Sequence, residues 1–243
     1  MTRAVRVDVV LTAEEVVPDR LGGATALVVD VLRASTTIIA ALAAGCAGIT
    51  PVADPDEARR RARDGALLAG EQRGEPIAGF DLGNSPLEFT RDRVAGRTVV
   101  LTTSNGTRAL LAARRAHAIG VAAFVNLSAA AGWAAAEARD IVVVCSGERG
   151  RRSLEDHVCA GFLVERVQAR APGAAPSPAA LAALAEGRRY AGRVARLAVD
   201  SPWARRLEAS GRGADVTACL ALDTTSLVPR YLPGVDKVVS GRG

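Results

Sequence analysis

The hydrophobic positions of this chain fall into short continuous runs separated by amphipathic stretches, and several runs stop at an acid, a hydroxyl or a glycine. Residues 5–11, 24–30, 48–53, 67–69, 97–101, 118–125 and 140–144 read as strands, the most continuous of them as buried strands of a parallel sheet. The stretches between them predict helices over 38–44, ended by Gly45, and from Pro55, capped by Asp54, to near Gly65. Further helices are predicted over 108–116, after a cap at Asn126 or Ser128, and over 153–170. Residues 73–89 break the pattern with Gly74, Pro76, Gly79, Gly83 and Pro86, which makes a long surface loop, and loops of that length usually carry function. Beyond the proline-rich segment 172–178, helices over 179–187 and 201–209 predict a helical C-terminal part, with 235–239 as an edge strand. This is the order of an α/β fold, and at 243 residues one domain spanning 1–243 is expected.

The polar ends of the runs hold the candidate chemistry. Asp30 closes the second strand at the rim where open α/β sheets place their ligands, and Arg33, Ser35, Thr36 and Thr37 open the helix that follows. Hydroxyls there can cap free N–H groups, and those N–H groups attract anions. Arg33 offers a planar fork that matches a phosphate, and Asp30 can hold a divalent cation beside it. The same residues also read as an ordinary N-cap and a structural ion pair. Glu71 puts a second carboxylate at the end of a strand, on the same rim as Asp30. Thr103, Asn105, Gly106 and Thr107 repeat the arrangement at another helix start, a second anion cradle. Asn84 and Ser85 can donate to a phosphate from the long loop, although Ser85 followed by Pro86 also suits the cap of a short helix. A basic loop with Arg149, Arg151 and Arg152, open to reading as solvated charge, leads to Ser153 and Asp156, which approximate a capping box. Glu155 lies about 100° from Asp156 around that helix, so one acid can serve the box while the other faces a ligand.

Composition narrows the classes. The net charge of +5 alone allows a nucleic-acid partner, but only 3% of residues are aromatic and no basic stretch interleaves with stacking side chains, so nucleic acid is not expected. No apolar run reaches the length of a membrane span, and the N-terminal residues lack a signal-like apolar stretch, so the expectation is a cytoplasmic protein without a membrane partner. Cys46, Cys145, Cys159 and Cys219 form no Cys-x-x-Cys pair and read as reduced core thiols. A dinucleotide-binding oxidoreductase should carry Gly-x-Gly-x-x-Gly after its first strand. The chain has Val31-Leu32-Arg33-Ala34-Ser35 after the Asp30 strand. A non-enzymatic anion- or nucleotide-binding α/β module stays open as the alternative.

Five separated stretches, 30–37, 70–71, 83–86, 102–107 and 145–161, with a weaker echo at 223–229, resemble the 2-phosphosulfolactate phosphatases. Ser104 departs from the threonine expected in that fourth stretch and keeps its hydroxyl. The resemblance implies a three-layer α/β/α sandwich with a largely parallel or mixed sheet. It also implies a Mg²⁺-dependent hydrolase acting on the phosphate monoester of 2-phospho-3-sulfolactate, on a route to coenzyme M. Mg²⁺ prefers oxygen ligands and keeps waters, so Asp30, Glu71 and one of Glu155 or Asp156 make a plausible set of ligands. Catalysis then falls to Asp30, Arg33, Glu71 and Asp156. Substrate binding falls to Arg33, Ser35, Thr36, Thr37, Asn84, Ser85, Thr103, Asn105, Gly106, Thr107 and Arg149. With Leu32 two positions after Asp30, an aspartyl-phosphate route is disfavoured against direct attack by water. The expected partner is a small acidic phosphorylated substrate, and a homodimer is left open.

Overall fold

The computed structural model describes residues 4–62 and 65–241. Met1–Arg3, and Arg63 at the end of the basic run that starts at Arg59, lie outside them. The described residues form strands β1 (Arg6–Val10), β2 (Thr25–Val29), β3 (Gly48–Val52), β4 (Leu67–Gln72), β5 (Glu75–Pro76), β6 (Thr98–Thr102), β7 (Ala118–Ala122), β8 (Ile141–Cys145), β9 (Ala175–Pro176), β10 (Pro229–Leu232) and β11 (Lys237–Ser240). The helices are α1 (Ala34–Ala43), α2 (Pro55–Arg61), α3 (Arg91–Val94), α4 (Gly106–Ala112), α5 (Leu127–Ala136), α6 (Leu154–Arg170), α7 (Pro178–Arg189), α8 (Leu197–Asp200), α9 (Pro202–Ala209) and α10 (Gly213–Cys219).

One mixed sheet runs in the order β5-β4-β6-β3-β11-β10-β7-β2-β8-β1-β9. It contains two parallel sets, β4-β6-β3 and β7-β2-β8-β1-β9, joined by the antiparallel hairpin β10–β11. The central strand β2 is buried along its whole length, as its continuous apolar sequence requires. One core packs α5, α6 and α7 against Val7, Val9, Leu27, Val29 and Val143. A second packs α1 and α4 against the other face, through Ala26, Val28, Val121 and Val144. That gives the three α/β/α layers. The second core also contains Ile49, Ala69, Val99 and Leu101 of the smaller set, so the sheet curls around α1 and α4, and α2 covers its outer face through Ala58.

Two expectations about the C-terminal part change. The segment from 172 onward is not purely helical, because β9 pairs with β1, and β10 and β11 lie inside the sheet. Residues 235–239 therefore contribute to an interior hairpin rather than an edge strand. The hairpin pairs with the edge of each parallel set, and Tyr231 and Val238 point into the core. All four cysteines are free and buried. No helix among the described residues is long and apolar enough to cross a membrane.

Candidate active site

The turn after β2 sets the frame. The N–H of Asp30 donates to Ser35 Oγ at 2.9 Å and the N–H of Ser35 donates back to the Asp30 carbonyl at 2.9 Å. Asp30 Oδ1 accepts the N–H of Ala34 at 3.1 Å, so this carboxylate, not a hydroxyl, caps the first residue of α1. The hydroxyls expected on a phosphate turn back into the protein instead. Ser35 Oγ donates to the Val28 carbonyl at 3.3 Å, Thr36 Oγ1 to that of Val31 at 3.0 Å and Thr37 Oγ1 to that of Asn84 at 2.9 Å. All three residues are buried, where an unpaired hydroxyl is costly, and these internal bonds tie the turn to its strand and to the 73–89 loop.

The second cradle closes in the same way. Thr107 donates its N–H to Thr103 Oγ1 at 3.0 Å, and its own Oγ1 accepts the Thr103 N–H at 3.1 Å. Gly106 is required by close approach, since a Cβ there would lie 2.6 Å from Asp30 Oδ2 and 2.4 Å from Ala34 Cβ. Ser85 Oγ accepts the N–H of Leu87 as a cap and donates to Asp215 Oδ1 at 2.5 Å. Thr103, Asn105 and Asn84 do line the cleft described below. The buried Asn84 side-chain oxygen has no hydrogen-bond partner among the described residues.

The four acids gather around this turn. Glu71 Oε1 accepts the N–H of Ser104 at 2.6 Å, and its Oε2 accepts Ser104 Oγ at 3.1 Å and the N–H of Gly74. Asp156 Oδ1 accepts the N–H of Val31 at 2.8 Å, and Oδ2 accepts Ser146 Oγ at 2.9 Å and the N–H of Gly147 at 3.3 Å. Glu155 Oε2 accepts Ser201 Oγ at 2.8 Å. Both neighbours on α6 thus face buried donors, and neither completes a capping box. Burial pushes the Asp30 carboxyl up to about 7, with Glu71 and Glu155 adding to the shift, while the Ala34 N–H and the Ser146 hydroxyl partly offset it. Burial first, then Asp30 and Glu155, holds Asp156 well above the usual carboxylate range, and burial also raises Glu155. A cavity of about 10 Å³ opens among Asp30, Asn105, Ser146, Glu155 and Asp156. That is room for one water-sized body.

No three His, Cys, Asp or Glu side chains converge as a ready metal cage among the described residues. Mg²⁺ does not need one, because it keeps several waters and commonly takes one or two carboxylates. Buried carboxylates held above their usual range around an ion-sized space fit a divalent cation.

Beside the acids lies an open cleft of about 620 Å³, lined by Asp30, Arg33, Glu71, Thr103, Asn105 and Arg149. Arg33 is buried and donates to Asp215 Oδ2 at 2.7 Å and more weakly to the Gly74 carbonyl at 3.4 Å. The structural ion pair foreseen for Arg33 exists, but with Asp215 of α10 rather than with Asp30. Arg149, at φ +52, reaches the cleft, whereas Arg152 turns away to His157 Nδ1 at 2.9 Å and Arg151 is exposed outside the lining.

Several residues in and around the site carry no functional signal in the sequence. Trp203 donates Nε1–H to the Leu32 carbonyl at 2.9 Å and walls both the cleft and the small cavity. Glu148 lines both as well and pairs with Arg206 at 2.7 Å. Ser201 caps α9 while holding Glu155. Arg73 and Arg108 complete the rim.

A family model for 2-phosphosulpholactate phosphatase matches residues 10–233. A probable 2-phosphosulfolactate phosphatase of Thermotoga petrophila is 38% identical over 219 residues, 87% of this chain and 90% of its own length. Its counterpart in Symbiobacterium thermophilum is 38% identical over 220 residues, 89% and 94% of the two chains. That of Gloeobacter violaceus is 40% identical over 210 residues, 84% and 87%. Spanning nearly the whole fold, these matches show that the chain belongs to the 2-phosphosulfolactate phosphatase family, a family of phosphoric monoester hydrolases.

Proposed function

We propose that this protein hydrolyses the phosphate monoester of 2-phospho-3-sulfolactate to 3-sulfolactate and phosphate, with Mg²⁺, on a route to coenzyme M. The observation that carries the metal-dependent part is the buried acid cluster. Asp30, Glu155 and Asp156 surround an ion-sized space; burial raises all three carboxyls, and Glu155 adds to the shifts of both Asp30 and Asp156. Asp30 and Asp156, with Glu155 beside them, would hold the ion, and Glu71 would serve from the other side of the Asp30 turn. When bound, Mg²⁺ supplies a Lewis acid for a phosphoryl oxygen and lowers the pKa of a water.

The chain's own residues supply the rest. Arg33, fixed by Asp215, presents its remaining N–H groups to the equatorial phosphoryl oxygens. The donors from Ser104 and Gly74 keep Glu71 oriented, and those from Val31, Ser146 and Gly147 keep Asp156 oriented. Leu32 stands where an aspartyl-phosphate route would use a second aspartate two positions after Asp30, which favours water as the nucleophile. Arg149 reads an acid at the non-reacting end of the substrate. Free buried thiols go with a reducing, cytoplasmic setting.

The test is phosphate release from a panel of phosphorylated hydroxy-acids with Mg²⁺ and with EDTA. Preferred turnover of the sulfonated ester, lost in EDTA and restored by Mg²⁺, is expected. Metal-independent or absent release from every ester would favour a non-enzymatic anion- or nucleotide-binding module.

A further inference from the structure

Arg149 comes to the cleft from the loop after β8, in the larger parallel set. The smaller set brings two arginines that the phosphate-side chemistry does not use, Arg73 in the tight turn between β4 and β5 and Arg108 near the start of α4. Arg73 is attached to the hub that orients Glu71, and Arg108 lies shortly after that hub in the chain. Ser104 donates to Glu71 through its N–H at 2.6 Å and its Oγ at 3.1 Å, and the same Oγ accepts the Arg73 N–H at 2.8 Å. Arg108 follows on the helix that this segment leads into. Glu71 and Arg73 are thus tied together through Ser104, in the segment that leads into α4.

Arg73 also occupies its place against local preference. It sits at φ +55 beside Gly74 at φ +89, in a two-residue turn that favours asparagine followed by glycine. A residue that breaks a local rule without an evident packing gain is a candidate for function. Neither guanidinium has a carboxylate within ion-pair distance among the described residues, while Arg33 is matched by Asp215 and Glu148 by Arg206. The positive charge that this wall offers to a ligand is thus carried by Arg73 and Arg108.

We infer that Arg73 and Arg108 form an anion subsite for a second acidic group of the phosphorylated substrate, across the cleft from Arg149. This rests on the phosphatase reading and adds a specificity pair to it. A substrate with a carboxylate and a sulfonate besides its phosphate presents two distal acids, and the cleft meets them from its two sides. Contacts to the non-reacting end act on substrate binding rather than on the chemical step.

The experiment compares wild type, Arg73→Ala, Arg108→Ala and the double variant on 2-phospho-3-sulfolactate and on p-nitrophenyl phosphate, which has no distal acid. Each single change is expected to raise KM for the sulfonated ester about tenfold, the double change further, with kcat within about twofold. KM for p-nitrophenyl phosphate should move less than about twofold, and Tm should hold because both side chains are exposed. Equal losses on both esters, or none on either, would overturn the subsite. Titration calorimetry with 3-sulfolactate judges it without turnover. Binding weakened about tenfold in the variants supports the subsite even if the wild type fails to cleave the sulfonated ester, a failure that would count only against the proposed reaction. Unchanged binding of 3-sulfolactate would overturn the subsite even if that cleavage is robust.

Discussion

Asp30→Asn should make the metal-free protein more stable while abolishing its activity. In the folded chain the Asp30 carboxyl is displaced from 3.8 to about 7. At ~1.4 kcal/mol per pH unit, keeping it ionised costs as much as about 4 kcal/mol of folding stability. The folded state holds this proton more tightly than the unfolded chain does. Stability is therefore full below the unfolded value, falls as pH rises between the two values, and stays reduced above about 7. Asparagine keeps an oxygen for the Ala34 N–H and removes the charge that opposes Glu71, Glu155 and Asp156. Because those acids share the strain, we expect a gain of about 1–3 kcal/mol at pH 8, or roughly 3–10 °C in Tm for a domain of this size. Thermal unfolding in EDTA at pH 8 and pH 5.5 measures it, and the gap between variant and wild type should narrow at the lower pH. Mg²⁺ should raise the wild-type Tm at pH 8 and leave the variant nearly unmoved. A variant less stable than wild type at pH 8 in EDTA would refute the idea that buried negative charge is uncompensated there.

Glu71→Gln should cost about 1–3 kcal/mol of stability as well as turnover, because one amide N–H₂ must face donors from Ser104 or Gly74; urea unfolding beside steady-state kinetics separates the two losses. Arg33→Lys should lower kcat/KM by about 10- to 100-fold, since a point charge cannot hold Asp215 and a phosphoryl group together; an unchanged rate would leave Arg33 a structural partner of Asp215 only. Arg149→Ala should raise KM for the sulfonated ester about tenfold with little effect on p-nitrophenyl phosphate, and equal losses on both esters would remove Arg149 from the distal end.

Much of the fold was legible because burial writes itself into continuous apolar runs. β2 and β8 are buried along their lengths and read as such, and Ser153 begins α6 as its side chain suggests. The C-terminal strands lacked that signature. β9 has two residues, one a proline, and β10 carries Pro229 and Arg230, a composition that ordinarily marks an edge. Its place in the sheet interior is decided by the edges of two parallel sets that the hairpin pairs with, and no local pattern records those edges.

The site divides along the same line. Carboxylates at strand ends were readable as positions, since an acid that stops an apolar run falls at the rim of the sheet, and Asp30 and Glu71 both line the cleft there. The hydroxyls were not, because serine and threonine at a helix start serve equally as anion donors, caps or ties to nearby carbonyls, and only the packed turn selects the last for Ser35, Thr36 and Thr37. Asp215 was the least accessible. A lone acid in a short C-terminal helix has no motif, and its meaning comes from a guanidinium 182 positions earlier in the chain. Burying that pair is costly unless further hydrogen bonds offset it, and here Ser85 Oγ satisfies Asp215 and the Gly74 carbonyl takes one more Arg33 N–H. The pairing thereby fixes Arg33 in one orientation at the mouth of the cleft, and it ties α10 to the turn after β2, so the C-terminal part bears on the site as well as on the core.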